Sequence, residues 1–181
     1  MLDNTPIPEA KLAEGPAGRT PEGDGWFIVN VADAHGMRTQ RFGAGTRFES
    51  RENPFPEFGI NVRVLQPGQP CGLYHREIGQ EAFLVLSGEC TAIVEDQERP
   101  MRKGDLLYAP PCTAHIIVGA GDGPCAVVMV GTRKDSDDIL YPVSEAARRD
   151  GASVEEETAD PAAAYGDAWS TMELTRLPLP W

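Results

Sequence analysis

The chain has 181 residues, 28 acidic against 16 basic, for a formal net charge of −12. That length sets one domain with ragged ends, and a core large enough to fold without disulfide or metal staples. The charge argues against nucleic acid as a partner, because such binding rests on neutralising phosphates with Lys and Arg; the acidity serves solubility.

Residues 1–24 are rich in Pro, Gly and charge and read as an extended or mobile arm. The opening residues lack the basic region and apolar core of a secretory signal. No apolar run approaches the roughly 18 residues that a membrane span needs. A cytoplasmic protein that binds no membrane is expected. The cysteines, Cys71, Cys90, Cys112 and Cys125, form no Cys-x-x-Cys pair, so zinc-ribbon and thioredoxin-type motifs are absent. They are expected to be reduced thiols packed as small apolar side chains, with Cys71 and Cys112 close enough to the candidate site in sequence to line a pocket.

Residues 26–31 predict the first strand, and residues 32–58 are irregular, with a short strand near 47–49. His35 falls in this stretch and reads as a surface residue. From Gly59 the pattern changes. Ile60, Val62 and Val64 alternate with Asn61, Arg63 and Leu65, as on a half-buried strand. Further strands are predicted over 82–86, 90–94, 98–101, 106–109, 114–118 and 125–130, with a tight turn near Asp96-Gln97. Turns every 8 to 12 residues indicate a sandwich or barrel and not a parallel α/β sheet. Short helices are expected after Ser144 and after Asp160-Pro161, and the closing Leu-Pro-Leu-Pro-Trp is expected to dock back on the barrel. The division is an arm over 1–24, a barrel over 25–135 with its motif core at 59–131, and a C-terminal extension over 136–181. Strand 82–86 is apolar on both faces, so its outer face needs a cover, either the segment around Trp26 or a second subunit. A homodimer is expected.

Two of the three histidines stand in short blocks that carry chemistry. The first block runs from Gly68 through Tyr74-His75-Arg76-Glu77 and Gln80-Glu81 to Gly88. The second runs from Gly104 through Tyr108, Pro110-Pro111 and Cys112 to His115. Side chains two apart on a strand share a face, so His75 and Glu77 can both point inward. Glu81 shares a face with Phe83 and Val85, where an unpaired carboxylate is costly. Arg63 is either solvated or faces the pocket and grips a carboxylate bidentately; Tyr108 is either a packing residue or a substrate contact.

These blocks resemble the two motifs of the cupin superfamily. His75, Glu81, Gly88, Gly104, Pro110 and His115 match. Gly68 stands one residue too far from His75, Glu77 takes the place of the second histidine, and Cys112 that of the middle glycine of the second motif. The wider chain, in phrases such as Val118-Gly-Ala-Gly-Asp-Gly-Pro124 and Tyr141-Pro-Val-Ser-Glu145, is similar to a group of bacterial single-domain cupins, mostly uncharacterised. The resemblance implies an all-β, double-stranded β-helix (jelly-roll) barrel. It implies His75, Glu81 and His115 as ligands of one divalent transition metal ion, with Glu77 as a possible fourth. Three ligands suit Fe(II) with open positions; four admit Mn, Zn, Ni or Fe. The function expected is a metal-dependent dioxygenase, isomerase or lyase acting on a small organic molecule, with Glu77 a general base if it is free of metal. The alternative is a non-catalytic small-molecule binding or sensing barrel, since fold alone does not fix function.

Overall fold

The structure, a computed structural model, describes residues 5–50, 52–133 and 138–181. The first residues of the expected arm and the boundary expected at residue 135 lie outside the described residues. The chain is built mainly from antiparallel strands. An N-terminal hairpin pairs β1 (Lys11–Gly15) with β2 (Gly18–Glu22). Next come β3 (His35–Thr39), β4 (Gly43–Arg47), β5 (Phe58–Leu65) and β6 (Arg76–Glu77). The motif region continues with β7 (Glu81–Ser87), β8 (Glu89–Val94), β9 (Gln97–Arg102), β10 (Leu106–Ala109), β11 (His115–Ala120) and β12 (Cys125–Thr132). The C-terminal part holds β13 (Ile139–Leu140), α1 (Glu145–Arg148), α2 (Pro161–Tyr165) and β14 (Glu173–Leu174).

A seven-stranded sheet runs β10-β7-β12-β5-β4-β3-β14, and a three-stranded sheet runs β11-β8-β9. Strand alternation assigns the faces. Leu65, Phe83, Val85 and Val127 of the large sheet share one core with Cys90, Ile93 and Ile117 of the small one. Each fully buried Phe, Ile, Leu or Val there contributes about 1.5–3 kcal/mol. On the other face of the large sheet, Ala44, Val62, Val64 and Ala126 are covered by Leu177, with Val31, Phe48 and Leu179 against them. The chain's own C-terminus therefore docks back, as expected, and covers part of the outer face of β7 through Leu86. Leu84 and its register partner Leu106 stay exposed.

Strands from β5 to β12 match the expected alternation closely. The turn between β8 and β9 is centred on Glu95 and Asp96, with φ of 47° and 60°, one residue earlier than expected. That geometry suits a two-residue hairpin. Ser144 caps α1 and Asp160 caps α2, whose first residue is Pro161. Three expectations change. Residues 11–22 form a hairpin within the expected arm. Residues 26–31 do not form a strand; Trp26 makes a lone bridge to Glu9, and Ile28 is exposed. The strand placed near 47–49 is β4 and ends at Arg47.

Candidate metal centre

His75 and His115 face each other across an isolated antiparallel bridge. The His115 N–H donates to the His75 carbonyl at 2.9 Å, and the His75 N–H donates to the His115 carbonyl at 3.3 Å. Their rings are 5.1 Å apart, and Phe83 packs edge-on against His115 at 5.1 Å. Glu81 reaches in from the opposite sheet, where its register partners are Ala109 and Gly131. A Cβ at Gly131 would stand 3.2 Å from Glu81 Oε1, so this glycine leaves room for the carboxylate. One ligand atom from each of His75, Glu81 and His115 lies within 4.8 Å of the others.

Hydrogen bonding fixes which ring nitrogens are bare. Nδ1 of His75 lies 2.8 Å from the Leu73 carbonyl, and Nδ1 of His115 lies 2.9 Å from the Thr113 carbonyl. A carbonyl oxygen only accepts, so each Nδ1 carries the hydrogen, and each neutral ring keeps its lone pair on Nε2. This backbone support is the usual outer shell of a metal-binding histidine. The Nε2 atoms approach Glu81 Oε2 at 2.8 Å from His115 and 3.7 Å from His75. Neither Oε2 of Glu81 nor Nε2 of His115 has an aligned hydrogen-bond partner, and both are buried. A bare nitrogen and a carboxylate oxygen repel at 2.8 Å, so this contact needs a positive charge between the two atoms, which either a proton on Nε2 or a bound metal cation supplies.

The electrostatics agree. Burial pushes the Glu81 carboxyl up, but the two histidines outweigh it and hold the group below the usual carboxylate range. Burial lowers His115, and Glu81 more than reverses that. His75 is lowered by burial and by His115, despite Glu81.

The other predicted residues fall as follows. Glu77 is half-buried on β6 and is not one of the three converging residues; burial and the neighbouring Glu81 charge raise its carboxyl above the ordinary value. Its carbonyl accepts from the Cys112 N–H at 2.7 Å. Tyr108 lies opposite Ala82, on the face away from Glu81, and its exposed hydroxyl donates to Gln80 at 3.0 Å. That placement removes it from the site, because neighbouring strand residues alternate faces. Cys71, Cys90 and Cys125 are buried, and Cys112 is exposed. Cys112 lines a shallow hollow beside Glu77.

Arg63 is half-buried and shares a face with Val127, its register partner in the core. It lines a cavity of about 650 Å³ with His35, Arg47, Asn61 and Trp169, at the β3–β4–β5 end of the large sheet. His35 is thus half-buried on β3 rather than on the surface; burial and nearby Arg47 lower its pKa. Nothing in the irregular pattern of residues 32–58 marked His35 or Arg47 as cavity residues.

Residues 61–131 match the cupin domain family. No curated protein matches the chain. A protein from Acidithiobacillus ferrooxidans, provisionally named a sugar phosphate isomerase, is 29% identical over 46% of this chain with a TM-score of 0.42; the match spans 54%, about half, of that protein. A cupin-superfamily sugar phosphate isomerase from Silicibacter pomeroyi is 22% identical over 75% of this chain and 79% of its own, with a TM-score of 0.44. The polyketide cyclase RemF from Streptomyces resistomycificus is 13% identical over 62% of this chain and 82% of its own, with a TM-score of 0.52, a likeness of fold. With two facing antiparallel sheets, both motifs in place and the domain match over 61–131, residues 61–131 are a cupin domain with the double-stranded β-helix fold.

Proposed function

We propose that this cupin is a metal-dependent enzyme acting on a small organic molecule, with His75, Glu81 and His115 holding one divalent transition metal ion. The supporting observation is the convergence of two bare Nε2 atoms and one carboxylate inside 4.8 Å, with Glu81 Oε2 and His115 Nε2 buried and otherwise unpartnered. A bound Fe, Mn, Zn or Ni ion would supply Lewis-acid polarisation or oxygen activation, suiting oxygenase, isomerase or lyase chemistry. The Leu73 and Thr113 carbonyls keep both imidazoles oriented. Phe83 and the core beneath it keep water from the inner side. Glu77, beside Glu81 but outside the converging set, takes or returns a proton at the rim.

Elemental mass spectrometry of untagged, chelator-free protein tests the reading. Near-stoichiometric metal is expected in the wild type and in Glu77→Gln, and none in a His75→Ala, His115→Ala double variant. Absence of metal from the wild type, even after reconstitution with each of the four ions, would sink the proposal in favour of a non-catalytic binding barrel.

A further inference from the structure

At the other end of the same sheet face lies a concentration of positive charge. Arg47 and Arg63 both line the 650 Å³ cavity. Most arginines whose side chains make polar contacts are matched to carboxylates, as with Arg19–Glu14, Arg38–Glu173 and Arg176–Asp33. The side chains of Arg47 and Arg63 make no hydrogen bond or ion pair among the described residues, in a chain whose net charge is −12. Glu49 on the cavity wall does not neutralise them. One of its oxygens pairs with Arg133 and the other accepts from the Phe55 N–H at 2.8 Å. The side-chain oxygen of Asn61, on the same wall, is buried and unpartnered.

Strand register sets the two arginines side by side. Gly45 and Arg63 are register partners, and Arg47 stands two residues beyond Gly45 on the same face. Diagonal neighbours of this kind are about 7–8 Å apart at the backbone, within reach of long side chains. Arg63 lies along the bare backbone of Gly45: a Cβ there would stand 3.0 Å from its Cδ and 3.1 Å from its Nη1. The face then continues through Val127 and Val85 toward Glu81. By strand spacing and rise, Arg63 and Glu81 are about 16 Å apart at the backbone, and the Arg63 side chain turns away from Glu81, over β4.

We infer that the cavity takes a small organic acid whose oxyanion, a carboxylate or a phosphate, is gripped between Arg47 and Arg63. Paired guanidinium forks match either oxyanion bidentately, and the bare Asn61 oxygen is placed to accept from a hydroxyl of the bound acid. The clamp does not rest on the proposed metal site.

Isothermal titration calorimetry with inorganic phosphate and with succinate, in low-chloride buffer, tests the clamp on the full chain. One-to-one binding is expected. The tighter of the two probes identifies the source as a phosphate ester or a carboxylate. Arg47→Gln and Arg63→Gln should each weaken binding at least tenfold, and Arg63→Lys should weaken it less. Gly45→Ala, which keeps both charges but displaces Arg63, should weaken it several-fold, so the effect does not depend on one variant folding. Tyr108→Phe, at a position outside both sites, should bind the probes as the wild type does. If neither probe binds the wild type, or both Gln variants bind like it, the clamp is wrong, even if metal is present. If the probes bind as expected while the wild type never holds metal, the clamp stands and the metal reading falls.

Discussion

Cys112 occupies the position where the second motif has glycine, and its φ is 65°. The left-handed region costs an L-residue roughly 1–2 kcal/mol. Glycine would remove that cost but lose about 0.5–1 kcal/mol through greater unfolded-chain freedom. Cys112→Gly should therefore raise stability by up to about 1.5 kcal/mol, and Cys112→Val, β-branched at positive φ, should lower it by about 2 kcal/mol. Urea midpoints rank the three proteins, and a glycine variant less stable than the valine one would refute the strain argument. The departure from the motif was legible in the sequence; its backbone consequence was not. His75, Glu81 and His115 were legible too, because motif spacing is local. Arg47 and His35 were not, because their surroundings include Trp169, brought in from the far end of the chain.

Strand legibility followed the same division. From β5 to β12, apolar alternation and turn residues agree with the sheet that forms. Residues 26–31 are as apolar as any strand, yet no neighbour pairs with them beyond one bridge, and Asn30 accepts the Ala32 N–H to start a turn. β1 and β2 lack the alternation that would announce a hairpin. One contact joins elements distant in sequence: Asp96, in the β8–β9 turn, accepts from the Ser144 hydroxyl and from the Ala146 N–H at 3.1 Å, and so ties α1 to the small sheet. Those two donors hold the Asp96 carboxyl below its usual range. A lowered folded pKa means that the ionised form favours folding. The contribution is complete above the unfolded value of about 3.9 and disappears as pH falls through the folded one. Asp96 is exposed, so water screens the contact and Asp96→Asn should cost about 1 kcal/mol or less at neutral pH. Its deficit against the wild type should close as pH falls from about 5 toward about 2. Chemical denaturation across that range measures it. A deficit independent of pH would mean that turn geometry, not the ionised acceptor, holds the helix.

For the molecule as a whole, the candidate metal centre is a cross-link between the two sheets. His115 opens β11 of the small sheet and His75 is bridged to it, whereas Glu81 opens β7 of the large one. An ion bound there attaches to the folded barrel and not to the separated strands, so its binding energy adds to global stability. At a hundredfold excess over the dissociation constant the gain is about 2.7 kcal/mol. For a chain of this length that raises Tm by about 5–10 °C. The net charge of −12 complicates the measurement, since surface carboxylates also attract divalent cations loosely. The control is the His75→Ala, His115→Ala double variant, which keeps every surface acid and loses two of the three converging donors. Melting of chelator-treated protein with and without each added ion should show a shift in the wild type that the double variant lacks. An equal shift in both would assign the stabilisation to the acidic surface and remove the ion from between the sheets.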